Sequence, residues 1–244
     1  MKPKTKPAEV EEPQDLIIEQ LTGGGFNPDR VRFLVYGESG VGKTRFSATW
    51  PSPLFLDIDD GLASVDQPVD RLRITEWSQL RMAFEYLSTQ EHDYKTIIVD
   101  SLNEGQALAL ADTVSSFPNI RRPYDSLAAQ SDYGKMLSDF DNMVRALKSL
   151  PIHVVFVAQV TGKEFETDII QPQLIGKHTA RNICRMVDIV GYMYREDQDP
   201  VMAFSLSEFT SKDRSGCLPT SIQNPSYSKL AQYWAAKTKL KRSK

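Results

Sequence analysis

Eight consecutive residues, Gly37-Glu38-Ser39-Gly40-Val41-Gly42-Lys43-Thr44, constrain the fold of this chain more than any other feature. They satisfy the pattern G-x-x-x-x-G-K-[ST], and their surroundings give the pattern its meaning. Val31-Arg32-Phe33-Leu34-Val35-Tyr36 is a β-branched and aromatic run that reads as a buried strand. Lys43 to Thr49 reads as a helix, closed by Trp50-Pro51. A glycine-rich turn between strand and helix can wrap closely around an anion, because glycine tolerates torsions that other residues avoid. Successive N–H groups then converge on that anion, aided by the helix N-terminus. Gly37, Glu38, Ser39, Gly40, Val41, Gly42, Lys43, Thr44 and Arg45 are therefore expected to hold the phosphates of a nucleotide. Lys43 is expected to reach the β- and γ-phosphates, and the Thr44 hydroxyl to ligate Mg2+. ATP and Mg2+ are the cofactors this chemistry implies.

The rest of the pattern supplies the scaffold that such a turn needs. Pro53 to Ile58, Thr96 to Asp100 and His153 to Gln159 are near-continuous apolar runs, which suit parallel strands buried on both faces. Ser78 to Leu87 carries Leu80, Ala83, Phe84 and Leu87 at helical spacing. Asp132 to Leu150 places Met136, Phe140, Met143, Val144 and Leu147 on one side and ends at Pro151. Val187 to Tyr194 and Val201 to Phe209 read as two strands of an antiparallel hairpin, joined by the polar turn Arg195 to Pro200. Ser226 to Lys237 reads as a last helix. Strands alternating with helices imply an α/β fold, a mostly parallel central sheet with helices on both faces. The expected organisation is a tail over 1–28, holding a short helix at Asp15 to Leu21 and the breaker Gly23-Gly24-Gly25; a core over 29–216; and a C-terminal helix with a basic tail over 217–244.

Length and composition agree with one such domain. A chain of 244 residues with 41% hydrophobic and 25% charged residues is neither collagen-like, nor a coiled coil, nor wholly disordered. Cys184 and Cys217 are too few for a disulfide scaffold or a zinc ribbon and fit a reducing compartment. No apolar run approaches the ~20 residues needed to cross a bilayer. Met1 to Pro13 lacks the apolar centre of a signal peptide, so the expected location is the cytoplasm. The net charge of −3 does not mark a nucleic-acid binder, but its distribution is uneven: from Phe209 onward the chain carries +7, leaving −10 on the first 208 residues.

Asp100 closes the apolar strand Ile97 to Val99. An acid at the carboxyl end of a parallel strand faces the ligand crevice. It can hold Mg2+ there, or serve as a plain N-cap for the segment that follows. These pieces, with three others, resemble the RecA-like P-loop ATPase core. Phe55-Leu56-Asp57-Ile58-Asp59-Asp60-Gly61-Leu62 is similar to the segment whose strand end carries that family's catalytic glutamate. The resemblance assigns Asp59 the polarising of the attacking water, with Asp60 as the alternative. The family uses Glu and Asp is one methylene shorter, which implies slow hydrolysis. Val154-Val155-Phe156-Val157-Ala158-Gln159 resembles the strand ending in the glutamine that senses the γ-phosphate and opens a DNA-binding loop, a role that falls to Gln159. Ser211-Lys212-Asp213-Arg214 resembles the segment whose two cations reach a neighbouring subunit's γ-phosphate. Lys212 and Arg214 would act there in trans; a basic hairpin edge is the other reading.

The match runs from Arg30 to about Ser215 and looks most like the short, core-only RecA relatives of bacteriophages, the Sak-type single-strand annealing proteins. It implies a DNA-stimulated ATPase that forms a ring or filament of its own copies. It also implies work on single-stranded DNA in phage recombination, with a phage single-strand DNA-binding protein as a further partner. The candidate DNA contacts are Lys163, Lys177, His178 and Arg181 in and beyond the long segment Val160 to His178, and Arg121, Arg122 and Tyr124, where cations stand beside an aromatic. Two other readings share the phosphate turn. One is a kinase of a nucleotide or small molecule, with Arg121 and Arg122 as lid cations. The other is an ATP-dependent oligomeric DNA-binding module without coupled turnover.

Overall fold

The computed structural model describes residues 25–116, 128–160, 169–205 and 208–242. The expected short helix at 15–21, with Arg121, Arg122, Tyr124 and Lys163, lies outside them, as do the side chains of the basic tail from Lys237 on. The chain runs β1 (Arg32–Gly37), α1 (Lys43–Ala48), β2 (Pro53–Asp57), a 3-10 turn (Leu62–Ser64), β3 (Asp70–Arg73), α2 (Trp77–Thr89), β4 (Thr96–Asp100), α3 (Leu102–Ser116) and α4 (Gln130–Ser149). Then follow β5 (His153–Ala158), α5 (Thr179–Met186), β6 (Ile189–Glu196), β7 (Asp199–Ala203), β8 (Lys212–Asp213), β9 (Ser221–Gln223) and α6 (Tyr227–Arg242).

The strands form one sheet in the order β3-β2-β4-β5-β1-β6-β7-β9, with β8 pairing alongside β6. Every pair from β3 to β6 is parallel, and β7, β8 and β9 are antiparallel. This is the expected α/β architecture with its C-terminal hairpin, extended by β9. Register decides where chemistry can gather. Asp57 pairs with Asp100, Asp100 with Val157, and Val157 with Val35, so the segments leaving β1, β2, β4 and β5 all emerge at one sheet edge.

Strand alternation sorts the core into two layers. Leu34, Tyr36, Leu56, Ile97, Val99, Val154 and Phe156 face α2, α3, α4 and α5. Phe33, Val35, Phe55, Ile98, Val155 and Val157 face α1 and α6. All of these are buried, which is why the strands read as unbroken apolar runs rather than alternating ones. Segment 217–244 is built into this core: Ile222, Leu230 and Trp234 are buried in the second layer, and Trp234 packs on Trp50 and Phe26. Among the described residues no helix is long and apolar enough to cross a membrane.

Helix α4 ends beside the start of β1, and its orphan carbonyls are satisfied there by two arginines. Arg32 donates from Nε to Lys148 O (2.7 Å) and from Nη2 to Leu150 O (2.8 Å), and Arg30 donates to Ser149 O and Leu150 O. Burial, with the neighbouring Arg30 charge, lowers the Arg32 pKa to about 10.

His153 opens β5 between the rings of Trp50 and Tyr227, and its Nδ1 accepts the Val31 N–H at 3.1 Å. Burial pulls its pKa down to about 4. The unfolded chain takes up this proton near the ordinary value of 6.5 and the folded chain does not, so stability falls as pH drops from about 6.5 to about 4. The full loss is roughly 3 kcal/mol. His153→Gln keeps an acceptor for Val31, and urea titrations of the two proteins between pH 7.5 and 4.5 should show a shallower acid decline in the variant.

Candidate nucleotide site

The edge where β1, β2, β4 and β5 end encloses a cavity of about 360 Å3, walled by the 37–45 turn, Asp59, Gly61, Asp100, Gln159 and Arg195. Two glycines shape the turn. Gly42, immediately before α1, has φ of 105°, which disfavours any residue with a side chain. At Gly37 a Cβ would collide with the carbonyl oxygen of Met193 on β6. The backbone of β1 can therefore lie against β6 only if residue 37 is glycine.

Lys43 is buried at the cavity floor. Its Nζ donates to Gly37 O (2.8 Å), Glu38 O (2.7 Å) and Gln159 Oε1 (3.2 Å). Burial lowers its pKa from the ordinary range, against the attraction of Asp100, Asp59 and Glu38. The Thr44 hydroxyl donates to Asp100 Oδ2 at 2.7 Å. This bond spans from the first helix to the end of β4, across the end of β5. A hydroxyl and a carboxylate in contact, beside a turn shaped for phosphate, are hard oxygen donors of the kind Mg2+ takes when phosphates complete its shell. Among the described residues no group of three His, Cys, Asp or Glu side chains forms a self-sufficient metal cage. The donor set thus fits a cation that arrives with a nucleotide.

Asp59 and Asp60 separate cleanly. Asp59 lines the cavity, and its Oδ1 accepts the Ser101 N–H (3.1 Å) and hydroxyl (2.8 Å). Asp60 points away and pairs with Arg71 (3.2 Å). Arg71 and Arg73 of β3 also clamp the turn that presents Asp59. Arg71 pairs with the buried Asp57 at 3.0 Å, and Arg73 donates to Asp57 O (3.2 Å) and Ile58 O (2.8 Å). Arg45 reaches outward to Ser64 O and to Asp66, both exposed contacts.

Gln159 joins the site on one side and the following loop on the other. Its N–H donates to Asn103 Oδ1 (2.8 Å) and its carbonyl accepts the Gln173 N–H (2.9 Å). Asn103 donates in turn to Gln173 O. One helical turn further on, the buried Gln106 bonds both the N–H and the carbonyl of Ile175. Helix α3 therefore holds 173–175 by two amide side chains three residues apart. Lys177, His178 and Arg181 follow at the start of α5, all exposed.

Lys212 and Arg214 lie elsewhere. Asp213 pairs with Ile189, which pairs with Phe33, so this segment sits near the start of β1, roughly 13 Å of strand before Gly37. Lys212 Nζ directs its three donors at the carbonyls of Cys184, Arg185 and Val187, the C-terminal end of α5. Arg214 bonds Asp188 (3.3 Å) and Arg185 O (3.2 Å), with its side chain half exposed.

Several site residues escape the motif reading. Arg195 reads as part of a polar turn, yet it continues β6, lines the cavity and donates to Gly40 O at 3.2 Å. Asn103, Ser101, Arg71 and Arg73 belong to no motif. The one available signal is positional, since Ser101 and Asn103 follow directly on the strand-end acid Asp100.

Burial pushes the Asp100 pKa up to about 6, with Asp59 adding to the rise and the Thr44 bond and Lys43 opposing it. A carboxyl held above its ordinary value of 3.8 stabilises the fold only when protonated, and that contribution is lost as pH rises through about 6. At pH 7.5 the ionised group therefore costs the nucleotide-free protein on the order of 2–3 kcal/mol. Asp100→Asn should raise the melting temperature of the nucleotide-free protein at pH 7.5 while removing the extra stabilisation that Mg2+ gives over ATP alone. Differential scanning fluorimetry with and without Mg2+ checks both signs.

Among solved structures, the ATPase domain of G40P is similar at 10% identity and a TM-score of 0.45, over 89% of this chain and 95% of that one. No curated protein sequence matches the chain. A family model described as an AAA domain matches residues 29–218, which takes in the phosphate turn, Asp59, Asp100, Gln159 and the 212–214 segment. The chain belongs to the AAA domain family of P-loop nucleotide-binding ATPase domains.

Proposed function

We propose that this protein hydrolyses ATP and uses it to act on single-stranded DNA, as the Sak-type relatives of RecA do in phage recombination. The observation that carries the reading is the path through Gln159. Its side chain touches Lys43, while its backbone is tied to Asn103 and Gln173, from which the chain leads to the exposed Lys177, His178 and Arg181. A change at the phosphate end is thereby coupled mechanically to a cationic surface suited to a nucleic-acid backbone.

In this reading Lys43 and the turn amides hold the phosphates, and Thr44 and Asp100 hold Mg2+, which supplies charge neutralisation on the transferring phosphoryl. Asp59, with one oxygen fixed by Ser101, orients the attacking water. Lys212 is committed to the end of α5, so Arg214 is the better candidate to reach a neighbour's phosphates. Assembly of several copies, in the cytoplasm of an infected cell, belongs to the same proposal. So does a phage single-strand DNA-binding protein as partner. A second reading draws on Asp59 itself. Short, and bonded twice to Ser101, it favours slow turnover, in which case ATP shapes an annealing assembly without driving each cycle.

Lys43→Ala should lower ATP turnover by about 10^2–10^3-fold while charge-based DNA binding persists. Phosphate release, followed with and without single-stranded DNA over a salt series, is the measurement. Stimulation by DNA that fades with salt supports the coupled reading, and no stimulation at any salt rejects it. Asn103→Ala leaves the phosphate turn intact and should reduce the DNA-stimulated rate more than the basal one. Equal loss of both would remove Asn103 from the coupling.

A further inference from the structure

The edge of the sheet far from β9 carries a groove of about 450 Å3 between β3 and α2, lined by Leu54, Arg71, Leu72, Met82, Tyr86 and Tyr94 among others. Three of these are large apolar side chains left open to water: Leu72 is 42% exposed, Met82 59% and Tyr86 48%. Beside them β3 pairs with β2 on one side, and among the described residues no strand pairs on the other. An exposed apolar groove along an unpaired strand edge is a ready site for an added extended segment, whose main chain completes the edge while its side chains fill the groove.

The chain itself contains a segment of the right chemistry. Residues 1–24 lie outside the described residues, and their apolar side chains gather at Leu16, Ile17, Ile18 and Leu21. Between Ala8 and Leu21 stand Glu9, Glu11, Glu12, Asp15 and Glu19 with no cation, while Arg71 lies in the groove and Arg81 on the same helix, both about half exposed. Reach decides whose groove is filled. The described chain begins beside Phe26, whose ring rests on Trp234 in the layer of α1 and α6. The groove belongs to the opposite layer and lies four strand spacings from β1. Those spacings amount to about 19 Å, and passing to the other face adds about 10 Å. Leu21 is four residues from Gly25 and can stand at most ~14 Å away, and Ile17 at most ~28 Å. The segment cannot set its four anchors in the groove of its own chain.

We propose that Leu16 to Leu21 of one copy dock in the β3–α2 groove of a second copy, adding a strand to its sheet and linking protomers head to tail. The inference rests on the assembly part of the proposed function and not on catalysis, and its test is independent of turnover. Two full-length variants are compared, Ile17→Asp/Ile18→Asp in the segment and Met82→Glu/Tyr86→Glu in the groove, by sedimentation velocity with and without MgATP. The wild type is expected to sediment as an assembly and each variant alone as a monomer. An equimolar mixture of the two should give a heterodimer, because one retains an intact groove and the other an intact segment. Met82→Leu should assemble as the wild type does, and unchanged melting temperatures establish that the charged variants are folded. A monomeric wild type overturns the proposal, as does a mixture that stays monomeric. Assembly that survives the segment variant but not the groove variant also overturns it, by assigning the groove to another occupant. Loss of ATP hydrolysis in Lys43→Ala with assembly unchanged would separate the two proposals.

Discussion

The hydrogen bond from Thr44 to Asp100 is the constraint on which the site depends. It links the first turn of α1 to the end of β4, two elements that are not neighbours in the sheet, since β5 lies between β4 and β1. Such a bond forms only if β1, β5 and β4 end at matching heights, and matching heights require the parallel register that pairs Val35 with Val157 and Val157 with Asp100. The register in turn rests on the two-layer core, because a slip of one residue would exchange the faces of every strand side chain. Burial of Asp100 is thus a product of the whole sheet rather than of its own segment. The raised pKa that follows is the electrostatic expense of keeping a metal-binding carboxylate in a dry place.

A second layer of polar contacts aims this core outward. Asp57 is buried at the end of β2 and is balanced by Arg71 of β3, which also holds Asp60 away from the cavity. The same pairings fix the turn that leaves Asp59 facing inward. On the other flank Asn103 and Gln106 hold 173–175 against α3. Both devices use side chains from elements that carry no motif, and both sit at an end of a strand that does.

How much of this was legible in the sequence follows from what each element buries. Strands β1, β2, β4 and β5 bury both faces and so announce themselves as apolar runs. Helix α4 buries Met136, Phe140, Met143, Val144 and Leu147, an apolar stripe at helical spacing. Helix α3 keeps the same spacing in Leu102, Gly105, Gln106, Ala109 and Thr113, but small and polar residues fill its buried stripe, so hydrophobic periodicity passes over it. Those residues are there because α3 packs closely and uses Gln106 to bind a loop, and function has displaced the pattern. Strand β3, Asp-Arg-Leu-Arg, is an edge strand whose arginines serve the Asp57 cluster, and it lacks the composition of a strand for the same reason. In the site, the motif residues Lys43, Thr44, Asp100 and Gln159 come together as the pattern implies. Arg195 does not read out, because only the pairing of β6 beside β1 carries it to the cavity.

The placement of cations across the sheet shows why a motif at a strand end is not enough to assign a role. At the edge where the parallel strands begin, Arg30, Arg32, Lys212 and Arg214 meet the carbonyl ends of α4 and α5. A helix C-terminus presents unpaired carbonyls and a partial negative charge, and in an α/β fold these ends gather at the edge opposite the phosphate turn. Cations there are drawn to the chain's own helices before any ligand is considered. At the other edge the helix N-termini offer donors and attract anions, so a cation such as Lys43 or Arg195 is retained only with carbonyl acceptors or an acid close by. The Lys-x-Arg spacing of 212–214 therefore has two explanations of equal chemical standing, and geometry divides them by residue. A lysine with all three donors spent inside its own protomer has no hydrogen bond left to offer a neighbour, whereas a half-exposed arginine with two acceptors on one side of its guanidinium still does.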